Sequence, residues 1–237
     1  MSLPLPRIIL ATGNPSKLRL LQALIDGLAQ GVTPSELDVR PLVQESGRTV
    51  SDNAVLKAKA YYDCTGLPAL SGDSGLLLLD IPQSSPEQPG TQIRRVVHGE
   101  ETTDEEMLTY YMELARRHGG RLRAAYQNAH CLYAGPGRIW LRTETPQECA
   151  RTAFYLVDTP CALRHPGWPL DSLAVRMDTG TYFMEDHAAV QTDDATLSDL
   201  ALPYRPWLEA SMQALADLQR NEGEKETCRL LLSLPWV

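Results

Sequence analysis

No apolar run in this 237-residue chain approaches the roughly 20 residues that cross a bilayer, and no signal-peptide pattern surrounds the short apolar stretch at residues 8–11. Cysteine is scarce and scattered. Cys64, Cys131, Cys149, Cys161 and Cys228 are odd in number and never form a CxxC pair, which excludes a disulfide framework and a thiolate zinc site. A reducing cytoplasm is the expected location. The five histidines are equally dispersed, with none at helical metal spacing, so any metal is expected to take oxygen ligands. Basic residues are outnumbered, 22 against 30, for a net charge of −8. That argues against a nucleic-acid partner, which needs a basic footprint. It leaves room for a small anionic substrate held by a few local cations. There is no internal repeat and no low-complexity segment.

What is present reads as an ordinary globular chain, 43% hydrophobic and 22% charged. The length predicts one large domain or two closely joined lobes. Residues 7–11 read as a buried strand. Asn14 then suits a helix N-cap and Pro15 the first helical position. Leu18, Leu21, Leu24, Ile25 and Leu28 follow at helical spacing, with Gly31 as the stop. Residues 37–43 suggest a second strand. Ser51, Asp52 and Asn53 open a second helix running to Cys64, and residues 69–79 form a third strand around a Gly-Asp-Ser-Gly turn. Residues 82–92 read as a loop and 103–118 as a helix with acids at its start and arginines at its end. Residues 121–158 look hairpin-rich and antiparallel, with a Gly135-Pro136-Gly137 turn. Helical pattern returns over 206–220, and a separate last helix is expected over 224–232. The early strand–helix alternation points to an α/β fold with a mixed central sheet flanked by helices.

Three segments carry candidate chemistry. Thr12, Gly13 and Asn14 lead from a strand into a helix N-terminus, with Lys17 one turn in. Such an end offers unpaired N–H groups and positive potential to a phosphate, although an ordinary capped turn has the same look. Asn53 and Lys57 are i, i+4 neighbours on one helix face, which suits either phosphate oxygens or plain solvation. Asp73 sits among glycines at the end of an apolar strand, where open α/β sheets bind ligands. It is able to ligate a metal or accept a proton from water. The same Gly72-Asp73-Ser74-Gly75 segment is similar to the nucleophile segment of trypsin-like proteases. The histidine segment Ala129-His130-Cys131 follows it rather than precedes it, Leu76 replaces a glycine, and no disulfide set exists, so that reading fails.

Together, in this order, the motifs resemble the inosine triphosphate pyrophosphatase family. The resemblance lies in Ala11-Thr12-Gly13-Asn14-Pro15-Ser16-Lys17, Gln44-Glu45-Ser46-Gly47, Asn53-Ala54-Val55-Leu56-Lys57-Ala58 and Gly72-Asp73-Ser74-Gly75-Leu76. It continues through Pro89, Gly90, Arg95 and residues 99–106, covering about the first 135 positions. It implies an elongated fold of two lobes with a groove between them, residues 1–237 forming one pyrophosphatase-like domain with a C-terminal extension at 221–237. It implies Mg²⁺-dependent hydrolysis of non-canonical purine triphosphates to monophosphate and pyrophosphate, Mn²⁺ being an alternative metal, in a homodimer. Catalysis would fall to Asp73, Lys17 and Lys57. Thr12, Gly13, Asn14, Lys17, Asn53, Lys57 and Ser74 would bind substrate, and Asp73, Glu45 and Gln44 the metal. The family's base-binding motif would fall on Gly167-Trp168-Pro169-Leu170-Asp171, with Trp168 stacking on the base and Asp171 meeting its polar atoms. A second basic motif would fall on Tyr204 and Arg205. The chain departs from the family at Gln44 and Gly72, each an acid there, at Tyr204, a histidine there, and at Asp199, a lysine there. These changes predict a weakened keto-purine preference. The alternative is a nucleotide-binding relative with impaired catalysis.

Overall fold

The structure, a computed structural model, describes residues 5–95, 102–164, 168–185 and 201–232, with backbone alone over 221–232. Gly99, Glu100, Glu101, Gly167 and Asp199 lie outside the described residues. Strand β1 (Arg7–Leu10) is followed by helix α1 (Pro15–Ile25), whose N-cap is Asn14. Strand β2 (Gln30–Val32) pairs parallel to β1. The helix therefore ends before Leu28, and Gly31 belongs to β2. Gly31 packs so closely on Ile25 and Leu10 that a Cβ there would stand 2.6 Å from Ile25 Cδ1. The expected strand at 37–43 is absent. Leu37, Val39 and Val43 do pack on the core with strand-like alternation. Among the described residues no strand pairs with the segment, and Asp38 takes φ 50°, a left-handed conformation that breaks extension.

Helix α2 (Val50–Thr65) starts one residue earlier than its polar cluster suggested, after a capping box made by Thr49 and Asp52. Strand β3 (Ala69–Leu78) is uninterrupted. The Gly72-Asp73-Ser74-Gly75 segment is not a turn but the middle of this strand, paired antiparallel with residues 127–130 of β4 (Arg121–Tyr133). Gly75 sits there because Gly90 crosses directly over it. A Cβ would stand 2.8 Å from Gly90 O and 2.9 Å from Val50 Cγ1.

Helix α3 (Asp104–Arg117) is capped by Thr103 with Glu106, as its acidic start predicts. Strand β5 (Ile139–Thr143) and strand β6 (Phe154–Val157) both pair with β4, β5 with residues 129–133 and β6 with residues 121–124. A short helix α4 (Pro146–Arg151) between them went unread in the sequence. Its signal was the Thr145–Glu148 capping box with Pro146 at the first turn. Strand β7 (Ala174–Arg176) closes the edge, and one continuous helix α5 (Arg205–Leu232) replaces the two expected near the C-terminus.

The result is a seven-stranded mixed sheet in the order β2-β1-β3-β4-β6-β7, with β5 branching from β4. Among the described residues no helix is long and apolar enough to cross a membrane. Alternation in β3 assigns its two faces. Ala69 packs with Ala54, Ala58 and Tyr61 of α2. Leu70 packs with Leu21 and Leu24 of α1 and with Tyr204 and Leu208 at the start of α5. Farther along that second face, Leu76 and Leu78 meet Met107, Tyr111 and Leu114 of α3. Each fully buried Leu or Ile adds roughly 1.5–3 kcal/mol. The polar middle of β3 lies between these apolar ends.

Adding a methyl at position 75 forces β3, Val50 and the Gly90 crossing apart. Gly75→Ala is expected to destabilise the fold by about 1–3 kcal/mol, the usual cost of overpacking. Urea denaturation checks this, and an unchanged midpoint would refute the close approach.

Candidate active site

Strand β1 runs beside β3 only as far as the Leu10–Leu70 pair. Asp73 therefore stands just past the carboxyl end of β1, where α1 begins, on the face covered by α2. Its side chain is 5% exposed. A carboxylate so buried requires charged or hydrogen-bonding partners, and three converge on it. Lys57 Nζ lies 2.7 Å from Oδ1, Asn53 Nδ2 donates to Oδ2 at 3.2 Å, and Lys17 Nζ lies 3.7 Å from Oδ1. The i, i+4 spacing of Asn53 and Lys57 thus serves to grip Asp73 from one turn of α2. Lys57 also pairs with Glu45, 3.1 Å away, which is 45% exposed. Asn53 commits both ends of its amide, because its Oδ1 accepts the Gly47 N–H at 2.8 Å. That bond ties the loop bearing Glu45 to α2. Gln44 is exposed next to it, and its backbone carbonyl accepts the Ser46 N–H.

Two ammonium groups share this small space. Burial, and then the Lys57 charge, lower the Lys17 pKa, while Asp73 and Glu45 push it back up. Of these two effects, only the Lys57 repulsion is of the kind that a nearby negative charge offsets.

The helix end differs from expectation. Asn14 Oδ1 accepts from the N–H groups of Ser16 at 2.9 Å and Lys17 at 3.2 Å, and Pro15 has none. The first-turn donors of α1 are therefore used internally, and Thr12 Oγ1 takes the Asn14 N–H. What α1 presents to an anion is Lys17, the exposed Gly13 turn and the helix dipole.

On the opposite face of the sheet, Ser74 donates to Asn128 Oδ1 at 2.8 Å. Asn128 donates through its backbone and side chain to Glu144 Oε2, and the Tyr204 hydroxyl donates to Glu144 Oε1 at 2.5 Å. Burial and that bond raise the Tyr204 pKa, so the phenol stays protonated. Sequence reasoning missed Glu144 and Asn128, since nothing local marks either.

His130, which enters the sequence reading only through the discarded protease likeness, also belongs here. It faces Gly72 across the β3–β4 ladder, and its ring lies edge-on to Tyr204 with centroids 4.5 Å apart. A Cβ at position 72 would stand 3.1 Å from His130 Nδ1, so the imidazole fills the room an acidic side chain would need. Neither ring nitrogen makes a well-formed hydrogen bond. Burial, then the Lys17 charge, lower the His130 pKa to about 4, with the Ser71 backbone offsetting only part of this.

The remaining expected residues sit on other elements. Trp168 is 44% exposed and precedes the 3₁₀ turn Pro169–Ser172. Asp171 is buried in that turn, within electrostatic reach of Tyr126. Arg205 pairs with Glu209 on α5, and its guanidinium approaches Gly27 beyond the far end of α1 from Lys17. The structure does not bring Arg205 to Asp73.

The open-edged α/β sheet places one carboxylate and two lysines where β1 ends and α1 begins, the position at which sheets of this class bind ligands. The family follows from comparison. A family model described as the Ham1 family matches residues 8–148, more than half of the chain, and the chain belongs to that family. The match covers all the motifs from Thr12 to Leu76. A dITP/XTP pyrophosphatase of Photorhabdus laumondii is 37% identical over 128 residues, 54% of this chain and 62% of the relative. One from Deinococcus radiodurans is 35% identical over 133 residues, 56% of this chain and 62% of the relative. The chain thus matches less than two thirds of the length of these curated relatives. The fold likeness extends further. The Staphylococcus aureus Ham1 protein superposes with a TM-score of 0.62 at 18% identity, covering 86% of this chain and 98% of that one. A HAM1 protein from Coxiella burnetii gives 0.60 at 22% identity, covering 92% and 100%.

The His130 environment sets a pH dependence. Its folded pKa lies below the ordinary 6.5, so the unfolded chain binds the extra proton first. The neutral-imidazole contribution is whole above pH 6.5 and drains away as pH falls towards about 4. The loss between pH 7 and 4.5 is expected to be about 2–3 kcal/mol. Urea titrations of wild type and His130→Leu across that range check it. Parallel stability curves for the two proteins would refute it.

Proposed function

We propose that this chain hydrolyses triphosphates of non-canonical purine nucleosides to the monophosphate and pyrophosphate. The observation that carries this reading is the convergence of Lys17, Lys57 and Asn53 on the buried Asp73. The names of the similar proteins support the substrate class. In this reading the two lysines receive the triphosphate, and Asp73 accepts the proton of the water that attacks the α-phosphorus. The bond from that phosphorus to the bridging oxygen breaks, and its electron pair leaves with pyrophosphate. Lys17 and Lys57 neutralise the charge that grows on the phosphate oxygens.

Asp73 and Glu45 present carboxylates on either side of the Lys57 ammonium, with Gln44 adjoining. An all-oxygen donor set of this kind fits Mg²⁺ or Mn²⁺. Among the described residues no group of three or more His, Cys, Asp and Glu gathers, so phosphate and water oxygens would complete the shell. Bound there, the ion would neutralise phosphate charge and orient the attacking water.

Ser74 lines the nucleotide side of the sheet, and the half-exposed Trp168 offers a ring face to a base, with Asp171 meeting its polar atoms. The chain acts as one domain whose two lobes enclose the groove, with 221–237 as an extension and a homodimer as the working form. Its location is the cytoplasm, in keeping with the unpaired cysteines among the described residues. Base selection is where this chain parts from the resemblance. Tyr204 spends its proton on Glu144, and Arg205 is engaged with Glu209. Keto-purine preference is therefore weakened.

Pyrophosphate release from a panel of ITP, XTP, dUTP, ATP and GTP with Mg²⁺ or Mn²⁺ tests the activity, and no release from any of them would leave a binding role. Asp73→Asn is expected to cut kcat by about 10²–10⁴, the range for losing a general base, while retaining nucleotide binding. Lys17→Ala removes a charge-assisted contact worth roughly 1.5–3 kcal/mol, so kcat/KM should fall about 10- to 150-fold. An unchanged kcat/KM would remove Lys17 from the site. On the same panel, the ratio of ITP to ATP turnover should fall well short of the roughly 10⁴–10⁵ that a site of matched polar groups reaches.

A further inference from the structure

Strand β3 has one edge turned towards β1, and every backbone group on it has a partner except those beside Asp73. Even-numbered residues face this edge. Leu70 O accepts the Ala11 N–H at 2.8 Å. Leu76 exchanges both backbone bonds with Gly90, at 2.9 and 3.1 Å. The Gln88 side chain serves both backbone groups of Leu78, at 3.0 and 2.7 Å. Gly72 and Ser74 lie between, and among the described residues nothing pairs with their edge-facing N–H and C=O groups. Gly72 is nevertheless buried. Buried backbone donors are nearly always satisfied, so a gap of two residues in an otherwise complete edge calls for a partner from outside.

The gap brackets Asp73, whose own backbone faces β4 instead, opposite Ala129. It opens towards the carboxyl end of β1, from which Lys17 approaches Asp73. The Ser16 and Lys17 donors of α1 are occupied by Asn14, which leaves the Gly13 turn and the β3 edge to offer N–H groups.

We propose that the backbone N–H groups of Gly72 and Ser74 are catalytic, donating to the oxygens of the phosphate that is attacked beside Asp73. The inference rests on the pyrophosphohydrolase reading of this site. Fixed donors of this type act most strongly where charge develops, because the strand has already oriented them. The Gly72–Ser74 carbonyls on the same edge remain for the hydroxyl or water protons of the complex. The arrangement also explains why a strand rather than a loop carries Asp73: the pleat sends the carboxylate to the α2 face and the two neighbouring amides to the open edge.

The experiment replaces the Ser74 amide by an ester, introducing the hydroxy-acid analogue of serine by nonsense suppression. The Gly75 amide, which faces β4, is replaced in the same way as a control. Amide exchange at Gly72 and Ser74 in the unaltered protein is followed by NMR with inosine 5′-(α,β-imido)triphosphate. The Ser74 ester is expected to lower kcat for ITP about 100- to 1000-fold with little change in KM. The Gly75 ester should weaken the fold but leave kcat within a few fold. Both amides should gain at least tenfold exchange protection when the analogue binds. Saturating analogue with unprotected amides, or a Ser74 ester with unaltered kcat, overturns the proposal while the activity reading stands. If the unaltered protein releases no pyrophosphate and binds no analogue, the activity reading fails instead.

Discussion

The buried carboxylate of Asp73 is the constraint around which the site is arranged. Taking one charge out of water costs several kcal/mol unless partners compensate. Lys57 at 2.7 Å and Asn53 at 3.2 Å do so from one helix face, and Lys17 approaches from another helix. This fixes where α2 must lie on the sheet. It also draws the Glu45 loop inward, through both the Lys57 ion pair and the Asn53–Gly47 bond. Two lysines and two carboxylates, Asp73 and Glu45, thus meet in one small space.

The same carboxylate has its place because β1 is short. Had β1 continued beside β3, the edge at Gly72 and Ser74 would be closed and Lys17 would be held away from Asp73. The sheet changes there from a parallel neighbour to an open edge, and farther along that edge is closed again by Gly90 and Gln88. Gly75 permits that closure by letting Gly90 cross at van der Waals distance. Glycine at 72 has another cause, since His130 occupies the space a side chain would take. The facing strand thus leaves no room at position 72 for the acid that the resemblance implies there.

Local chemistry was legible where it was short-ranged. The Asn14 cap, the Thr103 capping box, the apolar run of β1 and the α2 periodicity are set by neighbours within a few residues. Errors arose where a long-range partner decides. Residues 37–43 alternate like a strand and pack like one, but among the described residues no strand pairs with them. Gly-Asp-Ser-Gly carries turn residues, yet β4 pairs with it residue by residue. Gly31 looked like a helix stop because the parallel pairing of β2 with β1 leaves no mark in the local sequence.

The sequence by itself determined the class of fold, the co-linear motifs and the identity of the acid and lysines, because those depend on residue type and spacing. It also placed Asn53 and Lys57 on one helical face, a consequence of the 3.6-residue turn. Only the tertiary structure decided what that face grips. It spent the α1 donors on Asn14, turned Arg205 towards Glu209, and built the Ser74–Asn128–Glu144–Tyr204 chain from β3, β4, the residue after β5 and the residue before α5. It alone left two amides of β3 without partners among the described residues, because which backbone groups stay open is settled by where neighbouring strands end, and a strand's end is fixed by packing rather than by its own residues.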